Sequence, residues 1–149
     1  MPTDSELFAP CDLGPADYAG ILDLWRRAGL PVRAEGRDAP EAFARQLAGG
    51  AQRVIGVWNG ETLAAVAVLT HDGRKGWINR MAVDPLYRRR GLAQRLIAEA
   101  ERWFCEDLGL EVYAALIEQH NSASLALFER AGYRPFDIVY MSKRLRSGA

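Results

Sequence analysis

Apolar side chains recur at helical spacing in several parts of the chain. In the first part, Tyr18, Ile21, Leu22 and Trp25 are spaced so that they share one face of a helix. Similar stripes and their end signals indicate three more helices. We therefore predict four helices, which begin near Pro15, Asp38, Gly91 and Asn121 and are stopped by Gly29, Gly49, Gly109 and Gly132. The third runs to about Asp107 and the fourth through Ala131.

Local signals support several of these helix ends. Asp38, with Glu41 three positions later, is typical of a capping box, in which the first acid accepts a hydrogen bond from the helix backbone. Asn121 is a second cap residue, and Gly132 fits the position just after a helix end. These signals predict where the second and fourth helices begin and where the fourth ends.

The rest of the apolar pattern favours strands. An Asn59-Gly60 pair between two apolar runs favours positive φ at both central positions of a two-residue hairpin. The strand after Tyr133 has Val139 and Met141 as its apolar positions. The order of elements, βααβββαβαβ, predicts an α+β fold around a mixed sheet. The predicted strands are Leu7–Ala9, Val54–Trp58, Thr62–Thr70, Trp77–Val83, Leu110–Ile117 and one or two strands from Tyr133 onward.

Length and composition exclude several classes of protein. The chain has 149 residues, 19 basic and 19 acidic, so zero net charge gives no bulk affinity for nucleic acid or an anionic membrane. The longest apolar run, Leu63–Leu69, is far shorter than the roughly 20 residues that a membrane-spanning helix needs. The polar Met1–Glu6 is unlike a signal peptide, and Cys11 and Cys105 fit no metal-ligand spacing. We expect a cytoplasmic, metal-free protein with one domain over residues 1–149.

The segment from Asp84 to Arg95 has the most distinctive chemistry. A strand ends there, a turn follows, and a helix begins at Gly91 next to three consecutive arginines, Arg88–Arg90. The first N–H groups of a helix have no partner within it, and the helix dipole favours an anion at that end. Four arginines and one acid give this segment a local charge of +3. The pattern predicts a pyrophosphate site, although it matches neither a Walker loop nor a dinucleotide fingerprint.

Two motifs in this chain resemble those of a known family. Arg88-Arg89-Arg90-Gly91-Leu92-Ala93 is similar to the Arg/Gln-x-x-Gly-x-Gly/Ala motif of the GNAT superfamily of acyl-CoA-dependent N-acetyltransferases. Asn121, followed by Ala126-Leu127-Phe128-Glu129-Arg130-Ala131-Gly132-Tyr133, resembles the second motif of that family. The order of elements agrees from about Leu7 to Leu145, which is nearly the whole chain.

The resemblance implies a fold and a cofactor site. The fold is α+β, with a mixed, mostly antiparallel central sheet flanked by about four helices and with two parallel strands splayed apart in its middle. The N–H groups of residues 88–93 would hold the pyrophosphate of acetyl-CoA, and residues 81–83 would pair with its pantetheine arm. The implied cofactor residues are Met81, Ala82, Val83, Arg88, Arg89, Arg90, Gly91, Leu92, Ala93, Asn121, Ser124, Phe128 and Arg130.

The sequence departs from the family at two catalytic positions. Phe128 stands where many members have a tyrosine that protonates the CoA thiolate, and Trp77–Arg80 lacks the glutamate that many members carry there. A positioned acid or base contributes about 10²–10⁴-fold, so activity can survive such a loss. Tyr140 and Glu118 are the candidate catalytic residues, with His120 beside Glu118, and each also fits a plain surface or core position.

The resemblance implies an enzyme that uses acetyl-CoA as co-substrate and acetylates a primary amine of a small molecule, an amino acid or a protein. The alternative is a catalytically weakened acyl-CoA sensor or regulatory module with the same fold, which Phe128 and the carboxylate-free strand favour. We expect no nucleic acid or membrane partner, and a homodimer stays open. The acceptor is not defined, because the loop Gly29–Asp38 carries a mixed set of charges.

Overall fold

The computed structural model describes residues 8–149, which form a sheet with helices on both faces. The elements are β1 Cys11–Leu13, α1 Tyr18–Arg27, α2 Pro40–Ala48, β2 Gln52–Asn59, β3 Thr62–His71, β4 Gly76–Val83, α3 Leu92–Arg102, β5 Tyr113–Ala115 and α4 Ser122–Arg130. One-turn 3-10 helices precede α1 and follow β4, and a π-helical turn, Trp103–Asp107, extends α3.

The five strands lie in their sequence order across the sheet. Neighbouring strands from β1 to β4 are antiparallel, whereas β4 and β5 are parallel. The predicted mixed, mostly antiparallel sheet with a parallel pair is therefore confirmed. In the described part of the chain, no helix is both long and apolar enough to cross a membrane.

The sheet separates two hydrophobic cores. On one face, Ile21 and Trp25 of α1 and Phe43 of α2 pack against Val66 of β3. On the other face, the apolar stripe of α3 packs against the alternate residues of β3 and against Ile78 of β4. Because β3 is covered on both faces, seven consecutive residues, 63–69, are buried, and this explains the long apolar run in the sequence.

A β-bulge interrupts β4 at Arg80 and Met81. Val66 and Val68 of β3 pair with Ala82 and Asn79 of β4, so two residues of β4 stand opposite one residue of β3. Arg80 has φ of 47°, in the left-handed region that residues with a Cβ seldom occupy. The extra residue reverses the alternation of side chains: Ile78 packs in the core beneath α3, but Ala82 packs in the core beneath α1.

The first predicted strand and the predicted hairpin turn are displaced in the structure. Leu7 lies outside the described residues, and the strand begins after Pro10, at Cys11, because proline cannot donate to the neighbouring strand. Asn59 and Thr62 pair with each other, so the two loop residues are Gly60 and Glu61 rather than Asn59 and Gly60. Of these, Gly60 alone has a positive φ, of 61°.

The predicted capping box at Asp38 is wrong. Ala39 is the N-cap residue of α2, without a side-chain cap hydrogen bond. The Asp38 carboxylate is buried and instead accepts hydrogen bonds from the Arg33 amide at 2.7 Å and the Arg80 guanidinium at 2.6 Å. A long-range charged partner has therefore displaced the local helix cap.

The strands predicted near the C-terminus are shorter than expected or not formed. Only Tyr113–Ala115 of the predicted strand Leu110–Ile117 pairs with β4. No strand follows Tyr133 within the described residues. The Ile138 amide instead donates to the Phe136 carbonyl two residues earlier, at 3.0 Å, which is a tight turn. Apolar alternation predicted a strand there, but alternation does not supply a neighbouring strand to bond with.

Candidate active site

The two parallel strands stop pairing before β4 ends, and we call the open stretch of β4 beyond this point the slot. The pairing of β4 with β5 ends at Ile78 and Ala115, whereas β4 continues to Val83. Along residues 79–83, the edge of β4 that faces away from β3 therefore has no strand partner among the described residues. Met81 and Val83 are half-buried and Ala82 is buried, so this edge presents mainly backbone groups. Such an edge can pair with a peptide-like ligand.

The unpaired edge leads directly into a loop with unusual backbone geometry. Asp84 follows β4, and its side chain accepts a hydrogen bond from the Leu86 amide at 2.8 Å, which begins a 3-10 turn. Arg89 and Gly91 both have a positive φ, of 66° and 76°. Gly91 is the N-cap of α3, and it has no side chain to fill the space before the helix. Residues with such φ values turn successive N–H groups toward a common point, which is typical of anion sites.

The charges around this loop favour an anion. The loop precedes an eleven-residue helix, α3, whose N-terminal N–H groups and dipole carry partial positive charge. Arg88, Arg89 and Arg90 are all exposed, and no carboxylate pairs with them among residues 8–149. The Arg90 guanidinium lies 5.3 Å from the centre of the Tyr87 ring. Positive charge that is not neutralised locally is available to a phosphate group.

Two contacts fix the loop to the rest of the fold. The Arg27 guanidinium, at the end of α1, pairs with the buried Asp84 carboxylate. The Asn59 side chain, in the β2–β3 hairpin, donates to the Tyr87 hydroxyl at 2.7 Å. The loop is therefore anchored at both ends of its 3-10 turn, which reduces the entropy lost when it binds a ligand.

A groove of about 240 Å³ lies between α3 and α4, beyond the loop. Arg130, one of the predicted cofactor residues, lines it. Sequence reasoning missed Gln94 and Ala98, which also line it. Their spacing of four residues places them on one exposed side of α3, and the small Ala98 leaves room there, so the signal was present in the helical pattern.

The second motif forms the beginning and the core of α4. Asn121 caps the helix, since its side-chain oxygen accepts a hydrogen bond from the Ser124 amide at 3.1 Å. Phe128 is 5% exposed and packs edge-on against Tyr133, with ring centres 5.1 Å apart. The Tyr133 hydroxyl donates to Glu101 on α3 at 3.1 Å. Phe128 is thus a core residue, and its contact with a cofactor stays a prediction.

None of the three predicted acid–base candidates is buried. Glu118, His120 and Tyr140 are all exposed, and Tyr140 lies in the C-terminal segment that forms no strand. Burial and the nearby Glu101 carboxylate raise the pKa of Tyr133, so its phenol stays protonated and serves the contact between α3 and α4. Among residues 8–149, no cluster of three or more His, Cys, Asp or Glu side chains could hold a metal ion.

A second, larger groove lies at the opposite end of α3. It has a volume of about 580 Å³, and its lining includes Arg53 and Trp103. Arg53 pairs with Asp12 at 2.5 Å and with Glu99 at 3.1 Å, so its charge is neutralised by the protein itself. We assign the candidate site to the slot and the Arg88–Gly91 loop, where arginines have no paired carboxylate and backbone groups have no strand partner among residues 8–149.

Comparison with known proteins agrees with this geometry. A sequence profile of the acetyltransferase (GNAT) family matches residues 19–133. Among curated relatives, an acetyltransferase of Pectobacterium atrosepticum is 25% identical over 138 residues, which cover 87% of this chain and 89% of the relative. An acetyltransferase of Yersinia pestis is 23% identical over 133 residues, which cover 87% of this chain and 83% of the relative.

Solved structures share the fold at low sequence identity. The aminoglycoside acetyltransferase AAC(6')-Iy, in complex with the bisubstrate analogue CoA-S-monomethyl-acetylneamine, has a TM-score of 0.75 and 17% identity, with 92% of this chain and 98% of that chain covered. The PaiA N-acetyltransferase of Thermoplasma acidophilum, in complex with coenzyme A, has a TM-score of 0.77 and 15% identity, with 89% and 92% covered. Since the family profile covers most of the chain and the fold agrees, the protein belongs to the GNAT family of acetyltransferases.

Proposed function

We propose that this protein transfers the acetyl group of acetyl-CoA directly to a primary amine. The observation that carries the proposal is the continuity between the unpaired edge of β4 and the loop before α3. The edge offers backbone groups to the two amides of a pantetheine arm, and the loop offers N–H groups and arginines to the pyrophosphate at the other end of that arm. We assign Met81, Ala82 and Val83 to the first role and residues 88–93 to the second.

The far side of the cofactor is proposed to lie against α4. Asn121 and Ser124 stand at the beginning of this helix, and Arg130 lines its groove with α3. Phe128 supports this side from beneath by packing in the core.

The transfer itself needs little from ionisable side chains. The amine nitrogen attacks the thioester carbonyl, the carbon–sulfur bond breaks, and the amine proton leaves through water or a surface group such as Glu118. A backbone N–H of β4 beyond the bulge is suited to stabilise the developing oxyanion. A thiol with pKa near 8.5 is a fair leaving group, whereas an alkylamine with pKa near 10.4 is mostly protonated at neutral pH. We therefore expect the rate to rise with pH.

Binding is tested first. Isothermal titration with acetyl-CoA is expected to give one site per chain. The melting temperature is expected to rise, because a ligand at 100 times its Kd stabilises the folded state by about 2.7 kcal/mol. Absence of both effects would overturn the proposed function. Free CoA is then measured with a panel of primary amines, which includes an aminoglycoside because a structural neighbour was solved with an aminoglycoside-derived analogue.

A binding module without turnover is the second candidate. It is favoured by the burial of Phe128, which has no proton to give, and by the exposed positions of Tyr140 and Glu118, since exposed side chains are poorly fixed for proton transfer. Saturable acetyl-CoA binding with no amine-dependent CoA release, in the wild type and in Phe128→Tyr, would favour it. A tenfold or greater increase in rate for Phe128→Tyr, about 1.4 kcal/mol, would instead identify the missing acid as limiting.

A further inference from the structure

Arg80 has an unusual conformation for its place in the fold. It lies within β4, yet its φ is 47°, and among residues 8–149 only Arg89 shares a positive φ without being a glycine. Such a conformation persists only where surrounding contacts impose it, and it is often found at functional sites. Arg80 is also the first bulge residue, directly before the segment that we assign to the pantetheine arm.

Both the backbone and the side chain of Arg80 are held by α1. The Trp25 indole N–H donates to the Arg80 carbonyl at 3.1 Å. The Arg80 guanidinium carbon lies 3.9 Å from the centre of the same indole, in a cation–π contact. Trp25 is 3% exposed and fixed in the core. Its two contacts therefore hold both the backbone and the side chain of Arg80 in place.

The guanidinium also reaches the α1–α2 loop, residues 28–39. It donates to the Pro31 carbonyl at 2.6 Å and to the Asp38 carboxylate at 2.6 Å. The second oxygen of Asp38 accepts from the Arg33 amide at 2.7 Å, and the Asp38 carbonyl accepts from the Tyr18 hydroxyl at 2.5 Å. One side chain therefore joins the beginning and the end of this loop to the bulge.

The contacts of Arg80 indicate a structural role rather than a role in binding substrate. Its charge is satisfied by buried Asp38, so it is not available to bind an anionic substrate. The ring contact and the two hydrogen bonds from its fork use the planar geometry of a guanidinium, which a lysine cannot reproduce. What the contacts do instead is join the β4 bulge, which begins the slot, to the α1–α2 loop.

We propose that Arg80 is a positioning residue for acetyl transfer. It holds the β4 bulge and the α1–α2 loop together as one rigid unit, so that the backbone groups after the bulge stay oriented toward the thioester. The inference rests on the proposed function for its kinetic part, whereas its structural part is independent of any activity. Misplacing reacting groups by about 1 Å can lower a rate 100-fold. Contacts that hold the bulge in place would therefore raise the rate of acetyl transfer.

Amide hydrogen exchange tests the structural part. In Arg80→Gly, the backbone can keep its positive φ without strain, but the guanidinium contacts are lost. We expect faster exchange, by about tenfold or more, in residues 79–83 and in residues 30–38 together. Arg74→Ala, at an exposed arginine in the β3–β4 turn, is the matched control and should change neither segment. Unchanged exchange in either segment of Arg80→Gly would overturn the coupling.

A second variant keeps the test valid if Arg80→Gly is unstable. Loss of Arg80 leaves the buried Asp38 carboxylate without its charged partner, so the double variant Arg80→Gly/Asp38→Asn removes that charge as well. It should show the same joint increase in exchange. Arg80→Lys should not restore protection, because it lacks the fork. Full protection in Arg80→Lys would show that charge alone is sufficient and would contradict the proposed role of the guanidinium.

Kinetics test the positioning role. For Arg80→Gly we expect kcat to fall by about tenfold or more, while the Kd for acetyl-CoA, held mainly by the loop before α3, changes less than about threefold. An unchanged kcat would overturn the positioning role even if exchange increases. If the wild type acetylates no amine, the proposed function has failed, and the exchange results still decide whether Arg80 couples the two segments.

Discussion

The Arg27 guanidinium, at the last turn of α1, pairs with the Asp84 carboxylate where β4 ends and the proposed pyrophosphate loop begins. Asp84 is 3% exposed, whereas the Arg27 side chain is 34% exposed. The same guanidinium lies 3.4 Å from the Leu63 carbonyl of β3. The pair therefore fixes the start of the loop against both a helix and the central strand of the sheet.

We predict that Asp84→Asn destabilises the protein by about 1–3 kcal/mol, because it removes a buried charge that Arg27 is positioned to meet. The asparagine oxygen can still accept from the Leu86 amide, so the 3-10 turn should survive. Asp23→Asn is the matched control, since Asp23 pairs with the same arginine at the surface, and it should cost less than about 0.5 kcal/mol. Urea denaturation measures both, and equal losses would contradict the prediction.

A methyl group at Gly91 should impair binding as well as stability. With φ of 76°, an alanine there is strained by about 1–2 kcal/mol. Its Cβ would also lie 3.4 Å from the Gln94 side-chain oxygen, at the start of the helix that we propose binds the pyrophosphate. We expect Gly91→Ala to weaken acetyl-CoA binding at least tenfold, measured by titration, which is about 1.4 kcal/mol.

The control for this prediction is Gly60→Ala in the β2–β3 hairpin. Gly60 has a similar φ, of 61°, and a Cβ there would meet no atom within 4 Å. It should lose similar stability and bind acetyl-CoA normally. Equal losses of affinity in the two variants would mean that strain, rather than the site, controls binding.

Gly76, the first residue of β4, should not tolerate a side chain. A Cβ built there would lie 2.5 Å from the Phe104 ring, which is fully buried. We expect Gly76→Ala to destabilise the protein by about 1–3 kcal/mol through overpacking. Gly14→Ala is the control, because Gly14 has a φ of −124° and open space around its Cβ. A thermal melt in which both variants behave alike would exclude a tight contact between β4 and Phe104.

The stability should depend on pH through Asp38. Burial raises the pKa of Asp38, but the hydrogen bonds from Arg80 and from the Arg33 amide outweigh it, so the pKa lies below its ordinary value of 3.8. A carboxyl whose pKa is lowered on folding stabilises the protein fully above its unfolded pKa, and that contribution is lost as pH falls below it. The difference in unfolding free energy between wild type and Asp38→Asn should therefore be largest above about pH 5 and shrink toward pH 3.

Denaturation series at several pH values measure this difference, and subtraction of the variant removes the contributions of the other carboxyls. A difference that stays constant between about pH 5 and pH 3 would mean that Asp38 does not titrate with folding. A difference that grows toward low pH would mean that folding raises the pKa of Asp38 instead of lowering it.

The sequence predicts helix ends well where the signal is local. Asn121 accepts a hydrogen bond from the Ser124 amide three residues away, and Gly91 takes the N-cap position with a positive φ, so both stand where they were expected. The parallel pairing of β4 and β5 was also expected, through the family resemblance. The two helix ends need no knowledge of distant parts of the chain, whereas the parallel pair joins distant segments and was expected only because of the resemblance.

Features that depend on distant partners could not be predicted in the same way. Asp38 has the sequence of a helix cap, yet its partner Arg80 is 42 residues away, and only the folded chain brings them together. No glycine marks the bulge at Arg80 in the sequence, because the positive φ there is imposed by contacts from Trp25. The apolar C-terminal segment was predicted as a strand because its alternation shows which side chains could be buried. Alternation does not show whether a neighbouring strand is available for pairing.

The bulge in β4 also decides which backbone groups line its open edge. Along a strand, successive residues direct their N–H and C=O groups to opposite edges, and one extra residue exchanges the two sets from that point on. The Gly76 amide donates to the Val112 carbonyl, so the even-numbered residues of β4 face β5 before the bulge. Without the extra residue, Arg80 and Ala82 would present their backbone groups at the open edge beyond Ile78, and with it Met81 and Val83 do. A ligand that pairs with this edge would therefore bond to the backbone groups of Met81 and Val83.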